Sequence, residues 1–195
     1  MSDNDVEARV LQLYRDQKWQ DIIDLGSINN DKEKRRLLWV WPSEDDLYWI
    51  RDVVTNRALH GIISIGCGSG LLEWLIKIYT GINIIGVEID KPWWVSRHSP
   101  PQFLKDIIFV EHKNQNIKMP SKYALLFCYF NNASAFYEYM KNFEGNTVLV
   151  IGPMEGQCRF TDPLPFDEKF SKLGWQLSFK REIIRSKDLI TVYVR

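Results

Sequence analysis

The hydrophobic positions change rhythm once along the chain. From Ser2 to about Asn56 the pattern is helical, and Leu47, Ile50, Val53 and Val54 fall on one face of a repeat of about 3.6 residues. Ser43 with Asp46, and Ser2 with Asp5, have the spacing of capping boxes that open helices, with Asp in place of the usual Glu. Between them, Trp19, Ile22, Ile23 and Leu25 predict a short helix ended near Gly26, and an apolar segment runs from Arg36 to Trp41 and stops at Pro42. From Gly61 onward, short β-branched runs alternate with helical stretches. The runs predict strands at 62–65, 83–88, 107–110, 124–129, 147–151, 175–182 and 189–194, with helices at 71–79, 92–97, 133–142 and 165–173. Near-continuous apolar strands separated by helices indicate a parallel sheet covered on both faces. Only residues 183–187 separate the last two strands, too few for a helix, so a hairpin with one antiparallel strand is expected there. The pattern gives an α/β fold: a helical cover over 1–56 and a sheet domain over 57–195. The cover is rich in Trp and Leu with little room for a core of its own, so it is expected to pack on the sheet.

Composition narrows the partners. Lys+Arg and Asp+Glu both number 25, so no global positive field gathers long nucleic acids or membrane phosphates. A small molecule or a protein is the favoured partner, and a local basic patch is not ruled out by the balance. Cys67, Cys128 and Cys158 lie far apart with no metal-ligand spacing, which argues against structural zinc and a disulfide framework. The start, MSDNDVEAR, lacks the apolar stretch of a signal peptide, and no apolar run reaches membrane-span length. A soluble cytosolic or nuclear protein without a metal is expected.

The chemistry-bearing stretch is IISIGCGSGLLE over 62–73. An apolar strand runs into a turn with Gly66, Cys67, Gly68 and Gly70, then into a helix. Glycines there admit positive φ and close approach of a ligand, and a helix N-terminus offers free N–H donors. A nicotinamide fingerprint would be GxGxxG, whereas position 71 here is Leu. Glu88 lies 22 residues after Gly66, at the end of the second apolar run. A carboxylate at that point can accept from two ribose hydroxyls, with Ile89 packing on a purine ring. Asp90 is expected to cap the helix that begins at Pro92.

The glycine turn and the acid at the second strand's end resemble the class I, Rossmann-like S-adenosylmethionine-dependent methyltransferases, whose seven-stranded sheet also ends in a hairpin. The likeness spans Gly61 to Arg195. Within that superfamily, ALLFCYFNN at 124–132, FEGNTVLVIGPMEG at 143–156 and ITVYVR at 190–195 resemble a poorly characterised methyltransferase-like group. The resemblance implies S-adenosylmethionine as cofactor, its methionine part wrapped by the glycine turn. It places Asn114, after the third strand, where relatives contact adenine through a polar side chain. Many relatives carry an acid two positions before the first glycine; here that residue is Ser64, and Glu73 is the candidate to take over part of its role. The amino-methylating motif of Asp/Asn-Pro-Pro-aromatic is replaced by Cys128, Tyr129, Phe130 and Asn131, which leaves Tyr129 and Asn131 as the acceptor-orienting candidates. Two functions follow: a methyltransferase with an unidentified acceptor, or a catalytically inactive binding protein that kept the cofactor pocket as a sensor or scaffold.

Plainer roles exist for the same residues. Glu73 in a first helical turn stabilises the dipole by about 0.3–1 kcal/mol. Trp93 and Trp94 serve as packing or as a pocket wall, and Trp39, Trp41 and Trp49 as glue between cover and sheet or as a recognition surface. His60, His98 and His112 have no triad partners in register and are read as structural. Lys180, Arg181, Arg185 and Lys187 read as a solvated hairpin.

Overall fold

The computed structural model describes residues 4–26, 31–110 and 117–195, with the side chains of 4, 5 and 31–33 left aside. The Ser2–Asp5 capping box, His112 and Asn114 lie outside the described residues. Four helices come first: α1 (Asn4–Arg15), α2 (Trp19–Leu25), α3 (Asp31–Leu37) and α4 (Glu44–Asn56). The second capping box forms as expected: Asp46 N–H donates to Ser43 Oγ at 3.3 Å and Ser43 N–H donates to Asp46 Oδ2 at 2.9 Å. The apolar segment 36–41 does not form its own element. Helix α3 ends at Leu37 with Lys34, Arg35 and Arg36 in its last turn, where cations suit the dipole. Beyond it the chain leaves the helix ahead of Pro42, which disfavours helical backbone before it.

The sheet has seven strands in the order β3-β2-β1-β4-β5-β7-β6. These are β1 (Gly61–Ile65), β2 (Asn83–Ile89), β3 (Ile107–Val110), β4 (Tyr123–Cys128), β5 (Thr147–Pro153), β6 (Gln176–Ile183) and β7 (Asp188–Val194). The first five are parallel, and β7 pairs antiparallel with both β5 and β6, so the C-terminal hairpin expected from the short connection is present. Helices α5 (Leu71–Thr80), α6 (Lys91–Trp94), α7 (Ala133–Asn142) and α8 (Lys169–Lys172) complete the element order. Two helices are shorter than the periodicity suggests. The Pro165 carbonyl, which a longer α8 would need, accepts instead from Thr191 Oγ1 at 3.0 Å and Tyr193 Oη at 2.7 Å. After α6, Ser99 Oγ donates to the Trp94 carbonyl at 2.9 Å and closes that end.

Two apolar layers sandwich the sheet. One joins Val10, Ile22, Leu47 and Ile50 of the first helices to Leu75 of α5 and to Ile62, Leu126 and Ile190 of the strands. The other joins Phe136 and Met140 of α7 and Phe170 of α8 to Ile63, Phe127 and Val150. The N-terminal helices thus share a continuous core with one sheet face. The chain runs outward from β1 to β3 and returns to β4 beside β1. At such a reversal the loops after neighbouring strands diverge and leave a crevice.

Candidate functional site

The crevice holds a cavity of about 380 Å³. Its floor is the glycine turn, and its sides are the end of α3 with Trp39, the pair Trp93 and Trp94, and Cys128 and Tyr129 after β4. Gly68 (φ +60°) and Gly70 (φ +72°) occupy left-handed backbone that a side chain would strain. They differ in what a side chain would meet. A Cβ on Gly70 would come within 2.5 Å of Leu104 Cβ, so that glycine permits packing of the turn. A Cβ on Gly68 would meet nothing nearer than Trp94 at 3.9 Å, so bare backbone faces the cavity there. Gly66 and Cys67 close β1, their N–H groups donating to the Val87 carbonyl. Ser69 Oγ donates to the Leu37 carbonyl at 2.6 Å and fastens the turn to α3.

Two carboxylates stand at this turn. Glu88 is 9% exposed; its Oε1 accepts from Gly68 N–H and its Oε2 from Ile89 N–H, both at 2.8 Å. Burial pushes its carboxyl upward, opposed by those two N–H groups and by the Trp94 side chain. Glu88 is not among the residues that line the cavity. Glu73 does line it, at 2% exposure, and accepts from Ser64 Oγ at 2.6 Å. Burial raises its carboxyl to about 7, against the opposing Ser64 hydrogen bond, so near neutrality it exists in both protonation states. Ser64 is therefore the side chain that holds Glu73 at the turn. Ile89 is 58% exposed. Asp90 caps α6 as expected, accepting from Trp93 N–H at 3.2 Å.

The loop after β4 divides its two candidates. Tyr129 (φ +50°) lines the cavity and stacks on Trp39 with ring centroids 5.2 Å apart. Its hydroxyl donates to Asp188 Oδ1 and accepts from Arg159 Nη1, both at 2.6 Å. Burial, then the hydrogen bond to Asp188, push the phenol far above its ordinary range, so it stays protonated at neutral pH. Asn131 is exposed and outside the cavity wall, and its backbone bridges Asp162. Asn132 next to it is the residue that caps α7, accepting from Ala135 N–H at 3.0 Å. Sequence reasoning missed Arg159 and Asp188, which lie 30 and 59 positions from Tyr129. It gave His98 only a structural role, whereas His98 lines the cavity. No cluster of metal-ligating side chains exists among the described residues, and no helix there is long and apolar enough to cross a membrane.

Comparison with solved structures shows the fold: it is that of the class I S-adenosylmethionine-dependent methyltransferases. The magnesium protoporphyrin IX methyltransferase of Synechocystis PCC 6803, solved with bound S-adenosylmethionine, superposes with a TM-score of 0.53 at 11% identity, covering 98% of this chain and 97% of its own. Human N-acetylserotonin methyltransferase gives 0.53 at 12% identity over 91% of this chain, which spans 62% of the human enzyme. A putative O-methyltransferase of Nostoc punctiforme PCC 73102 gives 0.55 at 11% identity, over 91% of this chain and 60% of that one. No family model and no curated protein matches the sequence.

Proposed function

We propose that this chain binds S-adenosylmethionine in the crevice and transfers its methyl group to an acceptor. The observation that carries the reading is the joint placement of the Gly68 backbone and the Glu73–Ser64 pair at the sheet's reversal, with Glu88 anchored to the same turn. The residues fit such a cofactor. The cavity volume lies within the range of small-molecule sites, about 300–1,000 Å³. Glu73 supplies a carboxylate for an amino group at the turn. Glu88 is outside the cavity wall but bonded to Gly68 N–H, which is in it; each Glu88 oxygen uses one lone pair on a backbone N–H, and a ribose laid along Gly68 would meet the other. Trp93 and Trp94 wall the crevice against water, and Tyr129 and Trp39 flank the acceptor side.

The cofactor supplies an electrophilic methyl group, so the chain's task is to orient an acceptor and exclude water. Tyr129, protonated and held from both sides, acts as a wall and not as a base. That fits an acceptor whose nucleophile needs no deprotonation. Asn131 is exposed and not among the residues that line the cavity, so in this reading the acceptor is oriented without it.

The binding-protein alternative is favoured by one specific feature, the engagement of the Tyr129 hydroxyl by Asp188 and Arg159, which leaves the loop after β4 no side-chain amide and no free hydroxyl in the cavity wall. Incubation with radiolabelled cofactor and fractionated cell extract tests the reading. Label transfer by the parent, lost on Gly68→Val, supports the enzyme. Tight binding of S-adenosylhomocysteine without transfer into any fraction selects the sensor.

A further inference from the structure

A second cavity, of about 260 Å³, adjoins the first. Five cationic side chains line it, Lys34, Arg35, Arg159, Arg185 and Lys187, and among the described residues no carboxylate does. In a chain whose acidic and basic residues balance at 25 each, five cations among the described residues of one cavity are a local concentration of one sign. The hairpin between β6 and β7, read from sequence as merely solvated, supplies two of the five. Of its other cations, Arg181 pairs with Asp46 at 2.6 Å, and Lys180 lies over the Phe166 ring.

Several of these head groups are fixed by backbone carbonyls. Lys34 Nζ donates to Gly26 O at 3.0 Å, Arg185 Nη1 to Ile23 O at 3.2 Å and Arg159 Nη2 to Ser186 O at 2.7 Å. A carbonyl anchor orients a cation while leaving its formal charge in place. Asp188, buried behind Arg159 at 3.4 Å, pairs with that guanidinium.

Two links join this basin to the first cavity. Arg35, Leu38 and Trp39 line both. Arg159 in the basin also donates to Tyr129 Oη, and Tyr129 walls the first cavity. We propose that the basin seats an oxyanion group, a phosphate or a carboxylate, of the methyl acceptor. The acceptor's nucleophilic end then passes over Trp39 toward the glycine turn. Guanidinium groups suit this role because their planar forks pair with either group in a bidentate manner. The basin is smaller than a typical whole-ligand pocket, which fits a seat for one end of a molecule that spans both cavities. The acceptor assignment rests on the proposed cofactor reading of the first cavity.

The test uses the full chain, labelled with nitrogen-15 and titrated with inorganic phosphate and separately with succinate, at ionic strength held constant with chloride. Saturating shifts are expected in the 183–187 hairpin and at the Arg159 side chain, and the anion that saturates at lower concentration names the group. Lys187→Glu and Arg185→Glu should each weaken binding at least fivefold. Lys141→Glu, exposed at the end of α7, should leave it unchanged. Shifts that never saturate, or equal weakening by Lys141→Glu, overturn the proposal. S-adenosylhomocysteine binding is measured on the same samples. If it binds and neither oxyanion does, this inference alone falls. If an oxyanion saturates but S-adenosylhomocysteine does not bind, the cofactor reading falls and takes the acceptor role with it.

Discussion

The two sides of the crevice are built on different scales of sequence separation. On the β1–β2 side, polar groups find partners close along the chain: Ser64 meets Glu73 nine residues on, and Gly68 meets Glu88 twenty residues on. On the β4 side, Tyr129 is held by Arg159 and Asp188, 30 and 59 residues away, and is stacked on Trp39 from the segment after α3. The polar pairs of the first side lie within one β-turn-α-β unit, whose turn is also fastened to α3 through Ser69. The second exists only when the hairpin, the loop after β5 and the segment after α3 have all docked. Damage to the first is therefore expected to show in ligand binding, and damage to the second in stability and in acceptor handling.

Gly68→Val should have the largest effect. A branched side chain at φ +60° both strains the turn and fills the face presented to the cavity. S-adenosylhomocysteine affinity is expected to fall at least on the order of a hundredfold, nearly 3 kcal/mol, in a variant whose circular dichroism matches the parent. Undiminished affinity would remove the turn from the site.

Glu73→Gln separates charge from shape. With its carboxyl at about 7, Glu73 carries more protons folded than unfolded, so stability falls as pH rises from about 4.5 to about 7. The full loss across that window is about 3 kcal/mol. Urea denaturation at pH 5 and pH 7 should show a smaller decline in Glu73→Gln than in the parent. The parent's affinity for S-adenosylhomocysteine should rise with pH through about 7, as the carboxylate that pairs with the ligand's amino group forms, and flatten in the variant. A variant that keeps the parent's pH profile in both measurements would show that another group titrates.

Tyr129→Phe probes the other side. It removes the O–H donor to Asp188 and the acceptor for Arg159, and a hydrogen bond to a buried charge is worth about 2 kcal/mol. A loss of that size in denaturant titration, with S-adenosylhomocysteine affinity within about twofold of the parent, would sharpen the contrast between the sides. Equal losses in both would erase it. The smallest effect is expected for Asn131→Ala: an exposed residue outside the cavity should change stability by under about 0.5 kcal/mol and label transfer hardly at all. A tenfold loss of transfer would return Asn131 to the site.

The same difference in scale explains what the sequence discloses. The GxGxG turn, Glu88 and Asp90 are legible because glycine spacing, strand ends and capping are local properties, and the strand pattern with its terminal hairpin gives the sheet. Glu73 was legible as a candidate, but its protonation state depends on burial that periodicity does not measure. Trp39 reads as glue because an aromatic in an apolar run usually packs, yet it is 50% exposed and stacks on Tyr129. Arg159, and the inward share of the hairpin cations, carry no local signal at all. Their role arises from docking across the sheet's second half. The early ends of α6 and α8 have the same origin: the Pro165 carbonyl is claimed by two hydroxyls of β7, far along the chain.

Whether the crevice takes S-adenosylmethionine and its product is read directly by calorimetry on the unmodified chain. Titration with S-adenosylhomocysteine, beside parallel titrations with NAD and ATP, is expected to give saturable one-to-one binding of S-adenosylhomocysteine alone. A folded protein that binds NAD or ATP in its place, or none of the three, contradicts the account.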